Sequence, residues 1–357
     1  MFNSIRTTAL VALLLLLSGC DLAGKAATAV FQRAADNRMG DDMRTELVDG
    51  LHLALCGAGS PMPDPKRSGP CIAVIAGDST VIIDSGSGSS RNLSTMSIPQ
   101  GDIDAVLLTH FHSDHIDGLG ELAMNRWVQA ANNTPLPVFG PAGVNAVVSG
   151  FNQVYAADAR YRQAHHSDSV APLSGAGMTS HEFQTPEAGQ TTPVFNRGDL
   201  VISAFRVDHD PVSPAVGYRL EYKGRSLVIS GDTAKSENLQ LMSQDVDLLV
   251  HEALSKELVE VLTQAAKKKN MKILEKITVD IIDYHTSPIE AAQIAAAAGV
   301  DHLLYYHIVP GLVLPGMEAA FTQGVDDVFD GEVTVGIDGT LISLPANSQD
   351  IIVDELL

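Results

Sequence analysis

The sequence predicts one layered α/β domain containing two β-sheets. Short β-type runs occur in both halves of the chain, helical runs lie between them, and no fixed repeat or low-complexity linker divides the body. The chain has 357 residues, 45% of them hydrophobic and 18% charged, which is an ordinary globular composition. The predicted domain spans residues 46–345.

The first half of this domain begins with strands. The runs "LHLALCG", "CIAVIAG" and "TVIIDSG" predict an early meander. A further apolar run, "IDAVLLTH", ends at His110, and residues 117–132 have helical spacing. A strand with its turn and a helix follow, at residues 136–143 and 144–164.

Strands dominate the second half. Three consecutive strands and a short fourth are predicted, at residues 200–210, 215–224, 225–233 and 246–253. The next helix has a marked start, because Ser287 can cap it, Pro288 suits its first position and Glu290 completes a capping box. A strand, a closing hairpin and a polar tail complete the chain, at residues 301–308, 331–345 and 346–357.

The N-terminal segment is of another kind. "MFNSIRTTALVALLLLLSGC" has one cation, Arg6, then an apolar run of about a dozen residues, too short for a comfortable membrane span. Its end, "LSGC", resembles the lipobox of bacterial lipoproteins. That resemblance implies a signal peptide over residues 1–19, a lipid anchor on Cys20 and a periplasm-facing place in the cell envelope. Residues 20–45 then read as a polar tether with a helical piece.

Charge and cysteine content bear on partners and compartment. The net charge of −20 opposes polyanions unless a basic patch is segregated. The single lysine cluster, "KKK" at residues 267–269 with Lys272 and Lys276, is interpreted as a solvated helix face. Outside the cytoplasm Cys56 and Cys71 could form a disulfide, and two buried thiols are the alternative.

Metal-binding side chains follow the strand that ends before His110. "THFHSDH" places His110, His112, Asp114 and His115 within six positions. Imidazole and carboxylate groups suit zinc and similar ions, but one tetrahedral ion cannot easily take all four. Two adjacent ions can, the first on His110 and His112 and the second on Asp114 and His115. An exposed loop without metal is the alternative.

Further ligand types stand at later strand ends. His209, Asp232 and His307 each close an apolar run, so we expect them to converge with the first cluster at one edge of the sheets. The Asp232 carboxylate could bridge two ions there. The seven candidates, in this order and spacing, resemble the metal-binding motif of the metallo-β-lactamase superfamily.

Other segments narrow the resemblance to one branch. Over residues 48–345, "GAGSPMPDPKRSGPC", "HEA", "HTSPIEAA" and "VGIDGTLISLP" resemble the tRNase Z and alkyl- or arylsulfatase-like enzymes. This implies a single-domain four-layer αβ/βα sandwich. It also implies two zinc ions per chain, with iron or manganese as alternatives, and a hydroxide shared by both ions as nucleophile.

The resemblance also assigns roles. His110, His112 and His209 would bind zinc 1. Asp114, His115 and His307 would bind zinc 2, and Asp232 would bridge the two ions. The predicted catalytic residues are Asp114, Glu252 and His285, of which the last two resemble a dyad that protonates the leaving group. Purely structural roles are the alternative for that dyad. Asp84 either orients a ligand or is a turn residue.

The sequence favours a small sulfate or phosphate ester as substrate, so nucleic acid is not expected as a partner. The alternative, 3′ processing of tRNA, is disfavoured by the signal sequence, the acidic charge and the "IVPG" that follows His307, where tRNase Z usually has Ser and Arg. Only 22 residues separate His209 from Asp232, where tRNase Z carries its tRNA-gripping arm. A non-catalytic envelope lipoprotein is a second alternative, although no ligand is missing. The oligomeric state stays open, with a homodimer among the alternatives.

Overall fold

The computed structural model describes residues 23–357, so the predicted signal peptide and Cys20 lie outside the described residues. The chain divides after Thr45, and the second unit is Glu46–Leu357. In the part before this division, residues 23–38 of the predicted tether are helical. Among the described residues, none of the helices has the length and apolar character needed to cross a membrane.

Fifteen strands are present in the unit Glu46–Leu357. They are β1 (Gly50–Gly57), β2 (Cys71–Ala76), β3 (Ser79–Ile83), β4 (Ala105–Leu107), β5 (Leu136–Gly140), β6 (Met178–Glu182), β7 (Thr192–Arg197), β8 (Leu200–Arg206), β9 (Val216–Tyr222), β10 (Arg225–Ile229), β11 (Leu248–Leu254), β12 (His302–Val309), β13 (Glu332–Val335), β14 (Thr340–Pro345) and β15 (Ile352–Glu355). They form an eight-stranded sheet of order β15-β14-β1-β2-β3-β4-β5-β6 and a seven-stranded sheet of order β13-β12-β11-β10-β9-β8-β7.

Nine α-helices connect these strands within the same unit. They are α1 (Ser89–Thr95), α2 (Ser113–Ile116), α3 (Leu119–Gln129), α4 (Val144–His166), α5 (Glu237–Met242), α6 (Lys256–Lys268), α7 (Lys272–Asp280), α8 (Pro288–Ala298) and α9 (Met317–Phe321). The predicted capping box of α8 is formed, with Ser287 Oγ accepting from the Glu290 backbone and the Glu290 carboxylate accepting from the Ser287 backbone.

The core lies between the facing sides of the two sheets. Fully buried side chains such as Leu53 and Val74 from the first sheet cluster with Tyr218 and Leu227 from the second. Helices α5, α8 and α9 contribute to a separate apolar cluster on the other side of the second sheet. Helices α1, α3 and α4 pack against the first sheet. The four-layer αβ/βα sandwich predicted from the sequence is therefore confirmed.

Parallel pairing places the carboxyl ends of key strands together. Strands β3, β4 and β5 run parallel in the first sheet, and β10, β11 and β12 run parallel in the second. Loops beyond the carboxyl ends of parallel strands are the usual place for ligand sites in α/β sheets. The residues that follow β3, β4 and β10 therefore supply most of the site described below.

The C-terminal part differs from the sequence prediction. The expected closing hairpin is wrong, because β13 pairs in parallel with β12 whereas β14 pairs with β1 in the other sheet. Alternating residues around a turn look the same whether the second strand returns to the first or crosses to another sheet. The segment predicted as a polar tail carries β15, which pairs antiparallel with β14.

Candidate metal centre

The loop after β4 delivers the first cluster. His110 is completely buried three residues beyond the strand, and His112 is extended and half-buried just before α2. Asp114 and His115 lie in α2 itself, and both are buried. The loop after β4 and the first turn of α2 thus direct the four side chains of the opening motif into one place.

Asp232 lies at the centre of the later ligands. Its Oδ2 is 3.9 Å from Nε2 of both His110 and His209, 3.4 Å from Nε2 of His115 and 3.3 Å from Nε2 of His307. One carboxylate oxygen therefore faces four imidazole nitrogens. This is the arrangement that a carboxylate shared by two cations requires.

Two overlapping groups can be defined by distance. The ligand atoms of each group lie within 4.8 Å of one another: His110, His112, His209 and Asp232; and Asp114, His115 and His307. All seven candidates from the sequence are brought together, in the division that the resemblance implied. A third group of this kind joins Asp232 and His307 to His285.

Several buried polar atoms in this cluster have no hydrogen-bond partner. They are His110 Nε2, His115 Nε2, His209 Nε2, Asp232 Oδ1 and His307 Nδ1. Unpaired polar atoms are rare in protein interiors because each costs free energy that a partner would offset. Imidazole nitrogens and carboxylate oxygens at this spacing fit divalent cations of the zinc type.

At His110 and Asp232, electrostatics favour the protonation state that binds metal. Burial holds the pKa of His110 well below its usual value, so this imidazole is neutral. Burial raises the pKa of Asp232, but the imidazoles of His307 and His115 outweigh burial and hold that pKa well below its usual value. Asp232 is therefore a carboxylate. Neutral imidazole and ionised carboxylate are the forms that coordinate cations.

Hydrogen bonds behind the cluster fix the orientation of the imidazoles. Asp84 Oδ2 accepts from His115 Nδ1 at 2.8 Å and from the Thr109 hydroxyl at 2.8 Å. That hydroxyl is 3.1 Å from His110 Nδ1, and His209 Nδ1 is 2.9 Å from the carbonyl oxygen of Tyr284. Holding Nδ1 from behind leaves Nε2 of each ring facing inward. For Asp84, the geometry matches the ligand-orienting alternative.

Glu252 and His285 meet beside this cluster. Glu252, on β11, is completely buried, and its Oε1 accepts from His285 Nδ1 at 3.1 Å. The same oxygen accepts from the backbone N–H groups of Thr286 and Thr233. Burial lowers the pKa of His285, but the charge and hydrogen bond of Glu252 outweigh it and raise this pKa to about 9.

A cavity of about 430 Å³ opens onto the cluster. His112, Asp114, Asp232, His285 and His307 line its floor. Its walls, which the sequence interpretation missed, are largely apolar and comprise Met62, Leu274, Ile277, Ile281, Tyr284 and Val309. The signal for the α7 wall was the spacing of apolar residues three and four apart in "ILEKITVDII", which is typical of a helix face.

Cys56 and Cys71 form a disulfide, with Cα atoms 5.0 Å apart. The bridge joins the end of β1 to the start of β2 and closes the loop between them. Ser60, Pro61 and Met62 of that loop line the cavity. Of the two alternatives left open by the sequence, the structure thus has the bridge.

Comparison with known proteins relates this architecture to characterised families. Residues 80–308 match the protein family described as "Beta-lactamase superfamily domain". The Ribonuclease Z of Mycobacterium bovis (strain BCG / Pasteur 1173P2) is 37% identical over 290 residues, which is 81% of this chain and 96% of that protein. The Ribonuclease Z of Mycolicibacterium gilvum (strain PYR-GCK) is 35% identical over 292 residues, 81% of this chain and 94% of that protein.

Solved structures show the same fold. The metallo-beta-lactamase fold protein YhfI from Bacillus subtilis has a TM-score of 0.59 at 20% identity, covering 83% of this chain and all of that one. The short form of human tRNase Z has a TM-score of 0.55 at 22% identity, covering 82% of this chain and 99% of that one.

These relatives correct the predicted partner. The sequence interpretation expected a small-molecule ester and no nucleic acid, whereas the matched relatives are named for cleavage of RNA. The expectation of a non-nucleic-acid partner is wrong, and the relatives named above do not support the arylsulfatase-like activity. The physical error was to treat the net charge of −20 as a property of the whole surface.

Proposed function

The chain belongs to the metallo-beta-lactamase superfamily and is a metal-dependent hydrolase, and from this premise we propose that it is an endoribonuclease of the ribonuclease Z type. Its reaction is hydrolysis of a phosphodiester bond in structured RNA. The observation that carries the proposal is the position of Asp232 Oδ2, 3.3–3.9 Å from four imidazole nitrogens, at the floor of a cavity that also contains His285.

The ligand set supports two divalent cations, with zinc as the first candidate. His110, His112 and His209 would hold one ion and Asp114, His115 and His307 the other, with Asp232 shared. Bound in this way, such ions supply Lewis-acid chemistry that activates water and neutralises phosphate charge. Metal analysis tests the number of bound ions. Removing a ligand of one group should release one ion, and removing Asp232 should weaken the binding of both ions.

The remaining chemistry belongs to the Glu252–His285 pair. Because His285 Nδ1 bonds to the Glu252 carboxylate at 3.1 Å, Nε2 is the nitrogen left to donate a proton. His285 lines the cavity floor next to Asp232 and His307. A protonated imidazole there can donate to the leaving oxygen of the ester, which a poor leaving group needs. We assign His285 as general acid and Glu252 as the group that keeps it protonated and oriented.

Cleavage of a 3′-extended tRNA precursor by the zinc-loaded full-length chain tests the function. We expect site-specific cleavage that chelation abolishes and zinc restores, and an unstructured RNA of equal length should be cut more slowly. The Asp232→Asn variant is the matched negative control. Efficient hydrolysis of nitrophenyl sulfate without any cut in RNA would overturn the proposal.

We also propose that the enzyme is exported and anchored through Cys20, and therefore acts on RNA outside the cytoplasm. The lipobox-like "LSGC" supports this, as does the Cys56–Cys71 disulfide, because such bonds persist mainly in oxidising compartments. Membrane fractionation with radiolabelled palmitate tests it. The wild type should be labelled and sediment with membranes and Cys20→Ala should be unlabelled; an unlabelled wild type would refute the anchor.

A further inference from the structure

Along the chain, helices α6 and α7 form a hairpin that separates Glu252 from His285, the two members of the catalytic pair. Glu252 precedes α6 and His285 follows α7. The Thr263 hydroxyl on α6 donates to the Thr278 hydroxyl on α7 at 2.8 Å, and both side chains are buried between the helices. The turn of the hairpin spans residues 269–271, where the Met271 N–H donates to the Ala266 carbonyl.

The end of this hairpin is strongly basic. The chain has ten lysines, and five of them lie between residues 267 and 276. Residues 263–279 contain these five lysines and one acid, Glu275, a net charge of +4 in a chain of net charge −20. We call the four lysines nearest the turn the lysine tip: Lys267, Lys268, Lys269 and Lys272.

The lysine tip has no partners of its own. All four side chains are exposed, and none forms an ion pair or side-chain hydrogen bond with any residue in 23–357. The fifth lysine differs, since Lys276 pairs with Asp280 at 2.6 Å one turn along α7. The four ammonium groups are therefore available to an external anion.

Helix stability does not account for this cluster. Lys267 and Lys268 end α6, where a cation is favourable to the helix dipole. Lys272, however, is the first residue of α7, where a cation is unfavourable, and the only acid in that first turn is Glu275. Four like charges around one turn also repel one another. The tip thus works against the local fold, which indicates a role outside the fold.

Helix α7, which begins at the tip, lines the active cavity. Leu274 and Ile277 of α7 belong to the cavity wall, and Lys272 lies only two residues before Leu274. The nine residues of α7 rise about 13 Å, and the tip lies at the start of this helix whereas His285 follows five residues after its end. A polymer bound in the cavity can therefore extend past the tip.

We propose that the lysine tip binds the phosphate backbone of the RNA substrate outside the scissile bond. This inference rests on the proposed function. Between the candidate ligands His209 and Asp232, the interval where tRNase Z carries its tRNA-gripping arm, this chain has only the β9–β10 hairpin. The lysine tip would hold the RNA instead of such an arm. Charge complementarity supports RNA as the occupant, because the basic patch lies at the turn between α6 and α7, and α7 lines the cavity.

The test removes four charges without touching the catalytic groups. The variant replaces all four tip lysines by glutamine, in an otherwise wild-type full-length chain and in a His285→Ala background that slows cleavage during binding measurements. The matched control removes four exposed cations that do not line the cavity. Its substitutions are Arg33→Gln, Arg38→Gln, Arg160→Gln and Arg206→Gln.

Binding of a fluorescent 3′-extended tRNA precursor is measured by anisotropy from 50 to 200 mM salt. Each lost phosphate contact should lower the slope of log affinity against log salt by about 0.7–1, so the tip variant should lose about three units of slope and at least tenfold in affinity. Hydrolysis of bis(p-nitrophenyl) phosphate, which has a single phosphate, should stay within about twofold of wild type. The control variant should keep most of the slope.

The outcomes separate the two proposals. If wild type cleaves the precursor but the tip variant keeps the wild-type slope, or both four-charge variants lose slope equally, the tip proposal alone fails. If wild type neither binds nor cuts RNA, both proposals fail. Exposed Met271 and Ile273 beside the lysines would also suit an anionic membrane. Unchanged RNA binding with a lost preference for phosphatidylglycerol over phosphatidylcholine vesicles would assign the tip to lipid and overturn the proposal.

Discussion

Replacing Glu252 by glutamine isolates the proton-donor chemistry from the metal cluster. Glutamine has the same shape, and its oxygen can still accept the three hydrogen bonds that reach Oε1, from His285 Nδ1 and from the backbone N–H groups of Thr233 and Thr286. Oε2 has no hydrogen-bond partner, so the new NH₂ group breaks no existing bond. Leaving that NH₂ buried and unpaired costs about 1–3 kcal/mol of stability, and we expect the fold to persist.

The size of the expected effect on His285 follows from the negative charge that Glu252→Gln removes. Burial alone would lower the pKa of His285, and Glu252, with a smaller contribution from Asp232, raises it from 6.5 to about 9. That difference corresponds to about 3 kcal/mol, and removing it leaves about thirtyfold less protonated imidazole at pH 8. Since bound cations lower the pKa in both proteins, the difference between wild type and variant is the informative quantity.

The assay compares two leaving groups over pH. For the tRNA precursor, Glu252→Gln should lower kcat/KM by about thirtyfold at pH 8 and move the basic limb of its pH profile down by about 2.5 units. For bis(p-nitrophenyl) phosphate, whose leaving group departs without a proton, the loss should stay below about threefold. Glu290→Gln, which removes a charge from the α8 capping box, is the control and should leave the limb in place. Equal losses on both substrates with an unmoved limb would refute the general-acid assignment.

Two further predictions concern the support of the site. Asp84→Asn should weaken zinc binding by about 10- to 100-fold in competition with a chelator, because the neutral amide holds His115 Nδ1 less firmly; Asp84 has φ 57°, which asparagine tolerates, and unchanged zinc affinity would contradict the orienting role. Cys56→Ser with Cys71→Ser should lower the free energy of unfolding by about 3 kcal/mol, from loss of a loop closed over 15 residues. Urea denaturation measures this, and an unchanged midpoint would contradict it.

The candidate ligands could be found from sequence because coordination demands particular side chains at particular places. His110, Asp232 and His307 were recognisable as polar residues closing apolar runs. Parallel pairing of β10, β11 and β12 brings Asp232 and His307 together, and the loop after β4 of the facing sheet adds His110. The pairing of Glu252 with His285 was predicted only through the resemblance. The two residues are separated by 32 others, and no local sequence pattern predicts a contact between them.

The cavity wall and the substrate were harder to predict, for a physical reason. Whether Leu274 and Ile277 face a core or a cleft depends on how the α6–α7 hairpin packs. The apolar spacing of α7 does not predict that packing. Net charge is likewise a sum over the chain, and −20 in total coexists with +4 over residues 263–279. Binding of a polyanion depends on the local field, so the sum excluded a partner that the local distribution permits.

The backbone at His307 leads to a last prediction. His307 has φ 44°, an unfavourable conformation for a side chain of this kind, and it is the unpaired residue at the register shift between β11 and β12. Such a bulge turns a side chain out of its regular alternation, here toward Asp114 and Asp232. Strain of this kind costs about 1–3 kcal/mol and is retained where function requires it.

His307→Asn should therefore have opposite effects with and without metal. Asparagine adopts positive φ more readily and removes a buried ring nitrogen that lacks a partner, so the metal-free variant should melt at a higher temperature than metal-free wild type. With zinc, wild type should be the more stable protein, because the variant loses a ligand and with it the stabilisation from binding, about 2.7 kcal/mol at a free metal concentration 100 times Kd. Calorimetry of both proteins in chelator and in zinc decides the matter. Shifts of the same sign in both conditions would show that the bulge at His307 stabilises the fold rather than serving metal binding.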